Sequence, residues 1–229
     1  MDPTIGGLDH VRSLMTRATG DEKHAESSTS TLDPLWVLYD RVLRIDPGAP
    51  DAEDRDRFIL SKGHGPISLY AILAAKGFFP VTWLDAFLEH GGRLGAHPDR
   101  QLVPGIEAST GSLGHGLPMA VGVALALRAK GFLEQRVVVL VGDAELNEGS
   151  NWEAILLAPN LELGSLTLLA IDNHSSSWPM APWEERLGSF GWDVHVVDGH
   201  DRRALESAFR VRHERRPVAV VADVPEGEW

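Results

Sequence analysis

Two unbroken apolar runs set the frame of this chain. Residues 137–141 are Val or Leu throughout and stop at Gly142-Asp143-Ala144-Glu145-Leu146-Asn147-Glu148-Gly149; residues 166–171 run apolar, apart from Thr167, to Asp172-Asn173. Runs without polar alternation read as parallel strands covered on both faces. Elsewhere the apolar positions recur at helical spacing. Leu8, Val11, Leu14 and Met15 predict a helix over residues 8–18, and residues 34–43 predict another with Asp33 as its cap ahead of Pro34. Further helices are expected from Pro66 to 76 and over 82–89, 114–130, 147–158 and 202–213, with strands at 136–141, 166–172, 193–197 and 218–222. Residues 46–57 read as a charged loop and 91–111 as a long one. Loops of that length inside a domain are usually functional, and this one carries His97, Asp99 and Glu107. Strands alternating with helices imply right-handed parallel crossovers, hence an α/β fold: a doubly wound, mostly parallel sheet flanked by helices. Residues 1–23 are expected as a helical extension and 24–229 as one domain.

Composition narrows the class without naming it. A chain of 229 residues that is 43% hydrophobic can build a substantial core, and a net charge of −12 argues against a nucleic-acid or anionic-membrane surface. The locally basic stretch 202–216 reads as a solvated helix face. With no cysteine there are no disulfides and no thiolate chemistry. No apolar stretch is long enough to span a membrane and the amino terminus shows no secretion signal, so a cytoplasmic location is expected.

The ends of the two runs carry the chemistry. Ligands of parallel sheets collect beyond the carboxyl ends of the strands, where Asp143 and Asn173 stand. A carboxylate, an amide oxygen and the backbone carbonyl of Ser175 suit a hard divalent cation that keeps diphosphate oxygens as its other ligands. Taken alone, Asp and Asn at strand ends are more often turn formers. The segment 114–130, rich in Gly and Ala, is expected to be a closely packed helix whose first turn of amides is free for an anion.

The Gly142-Asp143 pair followed some thirty residues later by Asn173 resembles the signature of thiamine diphosphate enzymes. Four other segments narrow the resemblance to the amino-terminal part of transketolase: Arg41 to Pro47; Asp56 to Pro66, with Ser61-Lys62-Gly63-His64-Gly65; Ala96-His97-Pro98-Asp99-Arg100; and Pro104 to Leu117, with Gly111-Ser112-Leu113-Gly114-His115. It spans roughly residues 24 to 222, and five ordered segments are far more specific than one pair. The resemblance implies a thiamine diphosphate-binding fold, with Asp143, Asn173 and the Ser175 carbonyl holding Mg²⁺, Ca²⁺ or Mn²⁺. It implies His64, Gly111, Ser112, Leu113, Gly114, Gly142, Asp143, Ala144, Glu145 and Asn173 around the cofactor. His24, His64, His97 and His115 would line the cleft and move protons. Glu148 and Glu153 would lie at a dimer interface, although a helix dipole alone accounts for an acid at position 148.

The activity implied is transfer of a two-carbon ketol unit from a ketose to an aldehyde. The pyrimidine-binding domain of the family is not in this sequence, so the expected assembly pairs this chain with a separate carboxy-terminal, pyrimidine-binding transketolase subunit, two copies of each. Several positions depart from the family. Ala144 replaces a Gly, which would be strained at a positive φ angle. His24-Ala25-Glu26-Ser27 replaces His-Pro-Gly-Gly, Ser176-Ser177-Trp178 replaces Ile-Asp-Gly, and the end at Trp229 lacks a Lys-Gly-Lys-Gly element. The altered substrate side leaves two alternatives: a thiamine diphosphate-dependent 2-keto acid decarboxylase or ligase subunit, and a non-catalytic regulatory relic.

Overall fold

The computed structural model describes residues 7–18, 29–178 and 180–225. Within them five strands form one parallel sheet in the order β1-β2-β3-β5-β4: β1 Arg57–Leu60, β2 Val137–Gly142, β3 Leu166–Asp172, β4 Asp193–Asp198 and β5 Val218–Asp223. Every residue of β2 and β3 is buried. Each Val, Leu or Ile so placed contributes about 1.5–3 kcal/mol of hydrophobic stabilisation, which is why the continuous runs, and not alternating ones, occupy the sheet centre. At the edge, β4 is only half-buried and carries Asp193 and His195 among its apolar residues.

Helices cover both faces. One face packs under α1 (Leu8–Met15), α2 (Leu32–Val37, continued by a π-helical turn, Leu38–Val42), α3 (Ile67–Ala75) and α7 (Arg202–Arg210). The other lies under α4 (Gly116–Ala129), α5 (Gly149–Asn160) and α6 (Trp183–Gly188). Steps from β1 to β2, β3 and β4 proceed one way along the sheet and close with helices on the second face. The step from β4 back to β5 reverses direction, and its helix α7 lies on the first face, as a constant crossover hand requires.

The predicted strands stand within a residue or two of their expected places. Four elements differ. Residues 57–60, to which the sequence pattern assigns no strand and of which Arg57 reads as the end of a charged loop, form β1, because Phe58, Ile59 and Leu60 are buried beside β2 while Arg57 stays at the rim. Residues 82–89 form a short 3₁₀ turn, Val81–Ala86, and not an α-helix. Helix α6 was not expected. Asp33 lies inside the first turn of α2 and does not cap it; its buried carboxylate instead faces His200 at 3.3 Å, Arg202 at 3.7 Å and Arg12 at 4.0 Å, tying α1 and α7 to α2. Residues 1–6 and 19–28, with His24, lie outside the described residues, so the boundary expected at 23/24 does too.

Candidate functional site

Three strand ends and one long loop meet at the carboxyl edge of the sheet. Leu60 is level with Leu140 and Gly142 with Ile171, so Ser61-Lys62, Asp143 and Asn173 follow side by side. Asp143 is buried and opens a 3₁₀ turn, Ala144–Asn147, by accepting a hydrogen bond from the Ala144 amide at 2.7 Å. Its other oxygen accepts from the Ser176 amide at 2.9 Å. Ala144 is helical and not at positive φ, so the strain anticipated for a residue with a Cβ does not arise.

Asn173 and Asp143 converge on one point. The Ser175 hydroxyl lies 2.8 Å from Asp143 Oδ1 and 2.9 Å from Asn173 Oδ1. A hydroxyl has one proton for two acceptors, so these two oxygens are brought together with one of them facing another oxygen across hydrogen-bond distance. A cation placed there, with the hydroxyl turned aside, relieves that crowding. The residues therefore fit a hard divalent ion.

Glu145 holds the loops in place. It is 2% exposed, accepts from the Ser61 hydroxyl, from the Gly114 amide at 3.0 Å and from the Gly142 amide at 3.4 Å, and its own carbonyl accepts from Asn151 Nδ2 at 2.7 Å. Burial raises its pKa above the ordinary carboxylate range, against the pull of those hydrogen bonds and of Lys62. Ser61 Oγ in turn accepts from the Gly116 amide at 3.0 Å. The first amides of α4, expected to be free for a phosphate, are thus engaged at Gly114 and Gly116, because an internal carboxylate and a hydroxyl occupy that helix end. The close approach expected of α4 is present: a Cβ on Gly116 would stand 2.3 Å from Ser61.

The loop 91–111 delivers His97 and the glycine turn. Tyr70, on α3, places its hydroxyl 3.1 Å from the carbonyls of both Gly95 and His97 and ties down that stretch. The His97 ring meets His64 edge to face at 4.9 Å between centroids. It also covers Gly111, whose φ of +142° and lack of a Cβ are both required, since a Cβ would reach 2.6 Å from the imidazole. Gly63 packs against Gly111 from the other side. Gly114, at φ +81°, sits against Glu148 and Ser150, and the Ser150 hydroxyl donates to its carbonyl at 2.6 Å.

The predicted residues thus fall into groups. His64, His97, Gly111, Gly114, Gly142, Asp143, Ala144, Glu145, Asn173 and Ser175 are gathered at one edge. Ser112 and His115 are exposed beside it, with His115 Nδ1 3.0 Å from the Leu113 carbonyl. Glu148 and Glu153 are exposed on or before α5. Asp99 and Glu107 serve the loop itself: Asp99 accepts from the Gln101 amide at 2.7 Å, and Glu107 pairs with Arg55 at 2.6 Å and Arg57 at 3.6 Å.

Two features escaped the sequence reading. Lys62, inside a motif quoted for its histidine, is 8% exposed, donates to Ser30 Oγ at 3.1 Å, and has its pKa pushed down to about 8 by burial despite the nearby charges of Asp143 and Glu145. His174, at φ +57°, bonds Asp223 at 2.8 Å, which raises its pKa. His174 and Asp172, with Asp223 close to both, line an open cleft of about 330 Å³ that also borders Asp143, Ser176, Ser177 and the exposed Trp178. The Ser176-Ser177-Trp178 departure therefore lies at the mouth of the site.

Comparisons with known proteins give this edge a family. Residues 10–222 match the family described as "Transketolase, thiamine diphosphate binding domain". The chain is 47% identical to "Ferredoxin fas2" of Rhodococcoides fascians, over 97% of this chain and 74% of that protein. With no cysteine, this chain has no thiolates for an iron–sulfur cluster, so that word of the name does not describe it. It is 35% identical to the "6-deoxy-6-sulfo-D-fructose transketolase subunit SqwG" of Clostridium sp. (strain MSTE9), over 96% of this chain and 86% of that one. Among solved structures, transketolase from Pichia stipitis in complex with sedoheptulose 7-phosphate superposes with a TM-score of 0.83 at 27% identity, over 94% of this chain but only 35% of that chain. This protein belongs to the transketolase family, as a thiamine diphosphate-binding domain of enzymes that transfer two-carbon ketol units.

Proposed function

We propose that this chain is the diphosphate-binding subunit of a two-component transketolase, active with a separate pyrimidine-binding subunit in an assembly of two copies of each. The observation that carries the reading is the meeting of Asp143 Oδ1 and Asn173 Oδ1 on the single hydroxyl of Ser175, a pre-formed oxygen focus at the strand edge where family members hold their cofactor. In this reading Asp143, Asn173 and the Ser175 carbonyl hold Mg²⁺, or Mn²⁺ or Ca²⁺. Gly111, Ser112, Leu113, Gly114, Gly142, Ala144 and Glu145 shape the pocket for the diphosphate. Support for a partner comes from SqwG, named as a subunit, of which this chain covers 86%.

Bound thiamine diphosphate supplies the carbanion needed to break and form the bond beside a ketose carbonyl. The chain's own residues position and protonate. His64 and His97, held ring to ring, are the residues we assign to hydrogen-bond the sugar oxygens and transfer protons. His115 stands further out, and His24 is assigned from its sequence segment alone. Glu148, exposed beside Gly114 just before α5, is read as meeting a second copy across the subunit interface. A cytoplasmic location accompanies this assignment; among the described residues no helix is long and apolar enough to cross a membrane.

The substrate is a ketose donor with an aldehyde acceptor, and the cleft beside Asp143 bears on which. Its rim carries Asp172, with Asp223 adjoining, and the exposed ring of Trp178. Glu26, an acid in the His24-Ala25-Glu26-Ser27 segment where the family has glycine, supports the reading that the preferred sugars are not ordinary pentose phosphates. The test is a transfer assay on the assembled complex, with xylulose 5-phosphate and ribose 5-phosphate against sugars lacking or replacing the phosphate. Expected is ketol transfer that Asp143→Ala abolishes; unchanged turnover in that variant refutes the metal assignment, and ordinary rates with the pentose phosphates refute the substrate preference.

A further inference from the structure

Two carboxylates and an imidazole at the ends of β3 and β5 have no role in the scheme above. Asp172 and Asp223 close these adjacent parallel strands as register partners, so their side chains leave the sheet on the same side. His174, two residues past Asp172, brings its ring to both: Nε2 lies 2.8 Å from Asp223 Oδ1, and Nδ1 4.0 Å from Asp172 Oδ1. One ligand atom from each of the three falls within 4.8 Å of the others. The frame beneath them is fixed. The Asp172 carbonyl accepts from the Val224 amide at 2.9 Å and the Asp223 carbonyl from the Gly199 amide at 2.8 Å. Asp172 is buried, and its Oδ2 is held by the Trp183 indole at 2.5 Å, which leaves Oδ1 towards His174.

A structural histidine needs only one of these carboxylates. The second stands level with the first, and like charges so placed repel. Among the described residues no Lys or Arg forms an ion pair with either, and a single imidazole lies between them in a chain of net charge −12. A divalent cation neutralises both acids and accepts the imidazole as well. Nitrogen alongside two carboxylates favours an ion of the Zn²⁺ class over Mg²⁺ or Ca²⁺, which prefer oxygen throughout. Three protein ligands also leave a coordination position for water or for an oxygen of a bound molecule. Asp172 and His174 line the cleft of about 330 Å³ that Asp143 and Trp178 also border, so such a molecule has room beside the ion.

We infer that Asp172, His174 and Asp223 form a second divalent-cation site, separate from the Asp143 and Asn173 oxygens and suited to a transition-metal ion such as Zn²⁺. An ion there ties the end of β3 to the end of β5 and sets a Lewis acid at the mouth of the cleft. Its ligands are none of the residues assigned to the cofactor, so the site stands whether or not thiamine diphosphate binds.

The test is calorimetric titration of Zn²⁺ into the full chain without thiamine diphosphate and in excess Mg²⁺, which keeps the Asp143 edge supplied. Wild type is compared with His174→Asn, Asp223→Asn, Asp143→Ala and His213→Ala, each with melting curves in the presence and absence of Zn²⁺. Asparagine keeps the shape of Asp223 and tolerates the φ of +57° at position 174, so both of those variants should fold. Expected is one Zn²⁺ per wild-type chain, with affinity lowered about tenfold or more in His174→Asn and Asp223→Asn. Zn²⁺ should raise the melting temperature of wild type and not of those two. His213→Ala, whose imidazole bonds Asp193 elsewhere on the sheet, should bind as wild type does, and Asp143→Ala within about threefold of it. Co²⁺ in place of Zn²⁺ should give a visible absorption spectrum that His174→Asn alters. No saturable Zn²⁺ binding to wild type overturns the assignment, as does wild-type affinity in the Asn variants. A loss in Asp143→Ala as large as theirs overturns it too, because the ion would then belong to the Asp143 and Asn173 oxygens.

Discussion

Asp56 and Glu145 are buried to almost the same degree, 1% and 2% exposed, at opposite ends of one sheet, and they do different things. Asp56 precedes β1. Its carboxylate receives the Arg44 and Arg136 amides, each at 2.8 Å, and the Arg44 guanidinium at 3.3 Å. Two amides and a cation satisfy it, and it staples three segments at the amino end of the strands. Glu145 follows β2 and also receives three hydrogen bonds, yet burial keeps its pKa above the ordinary range, and the neighbouring lysine is pushed the other way. Burial of a charge does not by itself mark a functional site. What separates the two is their partners: Asp56 meets a guanidinium as well as two amides, whereas Glu145 is held by two amides and a hydroxyl at the edge where loops from distant parts of the chain converge.

Substitutions should divide along the same line. The largest effect on folding is expected for Asp56→Ala, which leaves the Arg44 and Arg136 amides without their acceptor and costs about 3 kcal/mol in chemical denaturation. Its cofactor affinity should stay at the wild-type value. Asp143→Ala should do the reverse. Affinity for thiamine diphosphate with Mg²⁺ drops about 100-fold, equivalent to about 2.7 kcal/mol, with a smaller change in stability.

The pH dependence of folding gives a third contrast. The Lys62 pKa is about 8 in the folded protein against 10.5 for an ordinary lysine. The unfolded chain therefore binds more protons between those values, and stability rises with pH across that window, while below about pH 8 the cost of the buried charge is present in full. The rise has an order-of-magnitude ceiling of about 3 kcal/mol. Lys62→Met should remove it, as urea titrations at pH 7.5 and 10 would show. Glu145 has the opposite sign. Its raised pKa means that stability falls as pH climbs from the ordinary carboxylate range through the raised value, and Glu145→Gln should flatten that fall. The same variant should weaken cofactor binding about tenfold by loosening the Ser61 and Gly114 loops. The smallest effect is expected for Ser175→Ala: the carbonyl proposed as a ligand remains, so affinity should shift by no more than about threefold.

Much of this was legible from the sequence because the central strands announce themselves. Residues 137–141 and 166–171 are apolar enough to be strands covered on both sides, so the residues that follow them fall at one edge whatever the rest of the fold does. That placed Asp143 beside Asn173 before any coordinate was known. The glycine turn was legible too, since Gly111 and Gly114 take backbone angles that other residues avoid. Strand β1 was harder to read: four residues long and opening with Arg57, it has too few apolar positions to separate from the charged loop before it.

The roles of Lys62 and Glu145 depend on contacts across 84 residues between Ser61 and Glu145 and 32 between Lys62 and Ser30, distances over which one-dimensional periodicity carries no information. For the same reason the amides of Gly114 and Gly116 were expected to be open, when an acid from after β2 reaches back to the first of them. The role of Asp33 was misjudged similarly, because its partners come from α1 and from the segment leading into α7.

The most direct test of the thiamine diphosphate site is titration of the cofactor into the chain mixed with its pyrimidine-binding partner, with and without Mg²⁺, for wild type and Asp143→Ala. Stoichiometric binding that requires Mg²⁺ and is lost in the variant is predicted. Binding that is indifferent to both the metal and Asp143, or no binding at all, would contradict it.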